Sequence, residues 1–178
     1  MNDAPVSLRP IGEADLDPLE ALLNDPRASG PFQWFGWRDP GRTRRLWAEN
    51  GLLAPEQSML AVLVGGEFAG FVAWRQVGRP DLAPYWNLGI MIRPEARGRG
   101  IGTRAQQLLV DYLFAHTVVM RLEADTEDTN LAEQRALEKC GFVREGVQRS
   151  MGFRDGQWRD VVRYSLLRTD PRPLSDRT

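Results

Sequence analysis

With 178 residues, 42% of them hydrophobic and 26% charged, the chain has room for one substantial core and is short for two. A formal net charge of −1 gives no basic field for nucleic acid, a single cysteine excludes an internal disulfide, and a single histidine excludes a histidine-rich metal site. No apolar run reaches the length of a membrane span, and the opening residues, with Asp3, do not read as a signal peptide, so a cytoplasmic protein with no membrane partner is expected.

Val6 to Arg9 alternates and is closed by Pro10, the pattern of an edge strand. Leu16, Leu19, Leu22 and Leu23 fall on one face of a helix expected from Asp15 to Leu23, ending before Asn24-Asp25-Pro26. Pro31 to Trp37 then packs four aromatic rings into six residues, with no charge and no regular period. It reads either as a loop plugging one end of the core or as a wall of a ligand pocket, which makes Trp34, Phe35 and Trp37 substrate-binding candidates. Asp39-Pro40 opens a second helix with Leu46 and Trp47 turned inward. Met59 to Val64 and Phe68 to Val77 read as strands joined across Gly65-Gly66, and Gly70 marks a bulge or a close neighbour.

The most informative stretch follows. An apolar strand, Trp86 to Ile92, breaks at Arg93-Pro94 and leads into the loop Arg97-Gly98-Arg99-Gly100-Ile101-Gly102-Thr103. Ile101, Ala105, Leu108, Leu109, Tyr112 and Leu113 recur at one-turn spacing, so the loop opens a helix that runs to about His116. Glycines let a backbone approach a ligand, and the first amides of a helix have no internal partner, so such a loop suits a phosphate group. Arg97 and Arg99 add positive charge. A nucleoside-triphosphate loop is a poor match, because it needs a Gly-Lys pair and the one lysine here is Lys139. A dinucleotide fingerprint also fits poorly: Thr103 stands at its third glycine, and Arg93 to Arg97 separate strand from loop.

Val118 to Ala124 is expected as a further strand, with Arg121, Glu123 and Asp125 on one face. Asn130 to Lys139 reads as a helix with an Asn130/Glu133 capping box and Gly141 as its terminator. Val143 to Phe153 and Gln157 to Leu167 form a hairpin around Asp155-Gly156. The reading is one mixed α/β domain over residues 1–168, followed by a polar, proline-interrupted tail at 169–178. Cys140 reads as a packed thiol, and His116 as a favourable charge at a helix end.

Arg97-x-x-Gly100-x-Gly102 is similar to the Arg/Gln-x-x-Gly-x-Gly/Ala signature of the GNAT superfamily of acetyltransferases. Leu8-Arg9-Pro10, Arg121-Leu122-Glu123-Ala124, Asn130 and Leu137 to Phe142 resemble its Rim-type branch of ribosomal-protein N-terminal acetyltransferases. So do Glu145-Gly146-Val147, Asp155 to Trp158 and Tyr164 to Leu167. The resemblance implies a single GNAT-like domain of mixed α/β (α+β) class, its central, mostly antiparallel sheet splayed between two strands and flanked by helices. It implies acetyl coenzyme A as co-substrate and no metal. Cofactor contacts would come from Met91, Ile92, Arg97, Gly98, Arg99, Gly100, Ile101, Gly102, Thr103 and Asn130. A primary amine would attack the thioester directly, with Glu123 as the candidate catalytic base beside the splay.

The chain also departs from the family. Leu137 stands where many members carry a thiolate-protonating tyrosine, and Glu133 stands where the Rim-type branch often has serine. The acceptor classes left open are a small amine, such as a metabolite or antibiotic, and a protein N-terminus. An amine of lowered pKa is the expected preference, and a homodimer is an allowed assembly. A coenzyme-A-binding module without catalysis is the alternative function.

Overall fold

The computed structural model describes residues 4–78 and 83–172. Seven strands form one sheet in the order β1-β2-β3-β4-β5-β7-β6. They are β1 Val6–Pro10, β2 Gln57–Val64, β3 Glu67–Val77, β4 Tyr85–Ile92, β5 Arg121–Glu127, β6 Val143–Arg154 and β7 Gln157–Leu167. The helices are α1 Leu16–Asn24, α2 Pro26–Ser29, α3 Arg42–Asn50, α4 Ile101–His116 and α5 Leu131–Lys139. Every neighbouring strand pair is antiparallel except β4 with β5, which is parallel. The mixed α/β class and the flanked, mostly antiparallel sheet expected from the sequence are present.

Two-residue alternation divides the core between the sheet's faces. Leu60 and Val62 of β2 join α4, α5 and the far strands in one cluster, while Ala61 and Leu63 join Leu16, Leu19 and Leu22 of α1 in the other. Because both faces of β2 are covered, its sequence is a continuous apolar run rather than an alternating one. Trp47 of α3 packs on the second cluster and donates from Nε1 to the Ile11 carbonyl at 2.8 Å.

Both expectations for Gly70 are met. The β2–β3 register shifts at Val62/Leu63, and a Cβ on Gly70 would lie 2.2 Å from the Met91 carbonyl oxygen. The turn residues Asp155 and Gly156 both have positive φ, 52° and 73°, as a tight hairpin turn requires. α5 ends on Gly141 at φ 91°, with the Phe142 amide bonded back to Leu137.

Two elements are offset by three residues from the sequence reading. β5 runs from Arg121 to Glu127, not 118–124, because its ladder with β7 extends to the Glu127↔Val161 pair. Before it, the Arg168 guanidinium donates to the carbonyls of Phe114, Thr117 and Val119, at 2.6, 2.5 and 2.9 Å, so this stretch caps α4 rather than joining the sheet. α3 begins at Arg42, since the Asp39 carboxylate accepts from the Gly41 amide at 3.0 Å and holds a turn there first. The capping box at α5 is half formed: Asn130 Oδ1 accepts from the Glu133 amide, while the Glu133 side chain turns elsewhere. Of the expected tail, Arg172 pairs with Asp111 at 2.8 Å, and 173–178 lie outside the described residues. So do 1–3 and 79–82, the latter within the loop expected between β3 and β4.

Candidate active site

The parallel pair is where the sheet opens. β4 and β5 are in register at Trp86↔Leu122, Asn87↔Glu123 and Leu88↔Ala124, and no further. β4 continues to Ile92 bonded to β3 alone, while β5 continues to Glu127 bonded to β7 alone. Beyond this fork lies a cleft of about 500 Å³. One wall is Ile90 to Ile92, a second is the start of α4 (Gly100, Gly102, Thr103), and a third is α5 from Asn130 to Lys139. Pro31, Phe32 and Gln33 close the fourth side.

In an extended strand, a residue's N–H and C=O point to the same side, and neighbouring residues alternate. The carbonyl oxygen of Met91 lies against Gly70, and the Arg93 amide bonds to Ala69, so those residues face β3. Ile90 and Ile92 therefore turn their main chain toward the cleft. Gln33 Nε2 reaches the Ile90 carbonyl at 3.2 Å, and Arg97 Nε reaches the Ile92 carbonyl at 2.8 Å. Met91 contributes to the wall, but its side chain is buried in the α1 cluster.

At the other end, Gly98 and Gly100 have φ of 71° and 76°, the left-handed region that glycine adopts without a Cβ penalty. A Cβ added at either would meet nothing within 4 Å, so the loop leaves an open cradle. Gly100 caps α4, whose first intrahelical bond runs from the Arg104 amide to the Gly100 carbonyl. The amides of Ile101, Gly102 and Thr103 are thus left for a ligand at the positive end of the helix dipole. This donor set fits an anionic group such as a pyrophosphate.

Arg97 behaves differently from a phosphate-facing cation. Its guanidinium also donates to the carbonyls of Ala28 and Ser29, tying the end of α2 to the loop. Desolvation there lowers its pKa. Arg99 is exposed at the loop tip.

Asn130 lines the cleft, and its Nδ2 donates to Thr126 Oγ1 at 3.0 Å, fixing the α5 start against β5. Of the aromatic stretch, Phe32 rather than the expected rings reaches the cleft. Trp34 faces a separate hollow with Arg27 and Arg154, and stacks edge-on against Trp37 at 5.1 Å. Phe35 is 54% exposed and Trp37 is 81% exposed, so neither plugs the core.

Glu123 sits on the face of β5 away from α4, one rung from the fork, and is buried. Its Oε1 accepts from Arg121 Nε at 2.7 Å. Oε2 has no hydrogen-bond partner among the described residues, and Arg163 Nε lies 3.5 Å away. Around it, Asn87, Asp125, Glu145, Arg163 and Ser165 form a polar patch on the same face. Glu123 does not itself line the cleft.

The carboxylate that does is Glu133. Its Oε1 accepts from Nε2 of buried Gln106 at 3.0 Å, and burial pushes its pKa up to about 7. Sequence reasoning took it for a cap, because Asn-x-x-Glu fits that motif and nothing local shows the side chain turning inward. Cys140 is buried, with its thiol donating to the Thr103 carbonyl at 3.4 Å and its pKa pushed up to about 12, as befits a packed thiol. Among the described residues no cluster of side chains could hold a metal, and no helix is long and apolar enough to cross a membrane.

Residues 6–143 match the family model described as "Acetyltransferase (GNAT) domain". The spermidine N(1)-acetyltransferase of Escherichia coli K12 is 32% identical over 166 residues, 91% of this chain and 86% of its own length. Among solved structures, the spermidine N-acetyltransferase of Vibrio cholerae, in complex with coenzyme A and spermine, superposes with a TM-score of 0.78 at 20% identity. That match covers 93% of this chain and 96% of the other. Mycobacterium smegmatis RimJ, in complex with CoA-disulfide, gives 0.74 at 22%, covering 91% and 81%. Identity at that level carries the fold, whereas the family model and the E. coli relative carry membership: the chain belongs to the GNAT acetyltransferase family.

Proposed function

We propose that the chain transfers the acetyl group of acetyl coenzyme A to the primary amine of a small molecule, by direct attack of nitrogen on the thioester. The observation that carries this reading is the fork itself. β4 leaves β5 after Leu88, above the bare amides and open glycine cradle that begin α4. One channel thereby joins an anion-binding end to a free strand edge. The cradle suits the pyrophosphate, and the main chain of Ile90 and Ile92 suits the amide-bearing pantetheine arm. Holding amine and thioester together in such a channel contributes roughly 7–11 kcal/mol without a covalent enzyme intermediate.

Glu123 is the base in this reading, taking the amine's proton through a water from the face opposite α4. The relatives named for spermidine acetylation favour a small amine over a protein N-terminus as acceptor. An enzyme drawing on acetyl coenzyme A would act in the cytoplasm, where that donor is available. The test is thiol release from acetyl coenzyme A with a panel of a polyamine, an amino sugar, an α-amino acid amide and an N-terminal peptide. Saturable release with at least one small amine is expected, together with coenzyme A binding by calorimetry. Release with the peptide alone would overturn the small-amine acceptor, and coenzyme A binding without release would overturn the transfer reading.

A further inference from the structure

Glu133 is the one carboxyl group among the cleft-lining residues described. It stands in the first turn of α5, facing Ile90 and Ile92 across the channel, and is held from below by Gln106. Gln106 lies one turn along α4 from Gly102, so the carboxyl group overlooks the path between cradle and fork. Leu137, one turn further along α5, is 1% exposed, belongs to the core and does not reach the cleft. The two carboxyl groups near the fork therefore lie on opposite sides of the sheet: Glu133 with the helices α4 and α5, and Glu123 with the polar patch.

We propose that Glu133, oriented by Gln106, is the general acid that protonates the departing sulfur of coenzyme A. This rests on the acetyl-transfer reading above. In the step, the amine nitrogen bonds to the thioester carbonyl carbon, and the carbon–sulfur bond breaks. The electron pair leaving with sulfur takes the proton of the Glu133 carboxyl, the proton lost by nitrogen goes to Glu123, and exchange with solvent resets both. The products are the acetamide and the free thiol. The other charged or titratable groups around Glu133 are Arg97 from the loop and Arg135, Lys139 and Cys140 from α5. The Gln106 hydrogen bond favours its ionised form, but burial outweighs it, leaving a carboxyl poised to give up a proton near neutral pH.

The experiment compares the full-length wild type with Glu133→Gln and Glu133→Asp, measuring kcat by thiol release at saturating amine across the neutral pH range. Coenzyme A affinity is measured alongside by calorimetry, and folding by circular dichroism. The wild type should lose turnover above about pH 7, as the acid ionises. Glu133→Gln should lose about 100-fold in kcat and the high-pH fall with it, while its coenzyme A affinity stays within about three-fold. Glu133→Asp, which keeps a carboxyl group, should recover part of both. A folded Glu133→Gln with wild-type kcat and pH profile overturns the proposal and leaves acetyl transfer standing. So does a loss confined to coenzyme A binding. A wild type that binds coenzyme A yet releases no thiol with any amine overturns acetyl transfer itself.

Discussion

The half-buried, desolvated position of Glu133 has a thermodynamic consequence independent of any reaction. Its pKa is raised from 4.5 to about 7 in the folded chain, because burial disfavours the ionised form by more than the Gln106 hydrogen bond favours it. Between those values the native state binds more protons than the unfolded one, so stability falls as pH rises through this window and levels off above pH 7. At about 1.36 kcal/mol per pK unit the loss is about 3 kcal/mol. Glu133→Gln cannot ionise and can still accept from Gln106 through its amide oxygen. Relative to the wild type it should be nearly neutral at pH 4.5 and about 3 kcal/mol more stable at pH 8. Urea unfolding followed by tryptophan fluorescence would read this as a midpoint gain of about 1–2 M at pH 8. Carboxylates elsewhere titrate alike in both proteins and cancel in the comparison. A difference between the two proteins that does not change with pH would refute the reasoning, since Glu133 would then ionise as an ordinary exposed carboxylate.

Gly102→Ala should leave the fold intact or slightly stabilise α4, by up to about 1 kcal/mol, while weakening coenzyme A binding by calorimetry. The added Cβ would sit 3.8 Å from Ile90 Cδ1 and Ile92 Cγ1, an ordinary contact, but on the side that faces the channel. Unchanged affinity in the stable variant would place the ligand elsewhere. Gly70→Ala should destabilise by about 2–4 kcal/mol in urea melts, because its Cβ would fall 2.2 Å from the Met91 carbonyl oxygen and force β3 from β4. A change under about 0.5 kcal/mol would show that the two strands can separate at little cost.

Much of this architecture was legible because it rests on local patterns. The Arg97 to Thr103 loop, the period of α4 and the Asp155-Gly156 turn each follow from backbone requirements that a few adjacent residues meet or fail. The boundary errors arose where a distant residue decides: Arg168 takes the carbonyls ahead of β5, and the pairing with β7 carries that strand on to Glu127. The aromatic stretch depends on distant partners in the same way. Ring content marks a segment as sticky, but only the packed chain puts Phe32 at the cleft and leaves Trp37 in solvent.

By itself, the sequence determined the fold class, the position of the glycine cradle and the family, because helix starts, tight turns and period-two burial are encoded within a few residues of one another. The tertiary structure alone decided which groups meet. It tied the Arg97 guanidinium to carbonyls, set Glu123 one rung from the fork on the polar face, and turned Glu133 from its cap position into the channel. The orientation and proton affinity of such side chains are fixed by partners tens of residues away and by the water those partners exclude. Neither is written in the neighbouring sequence.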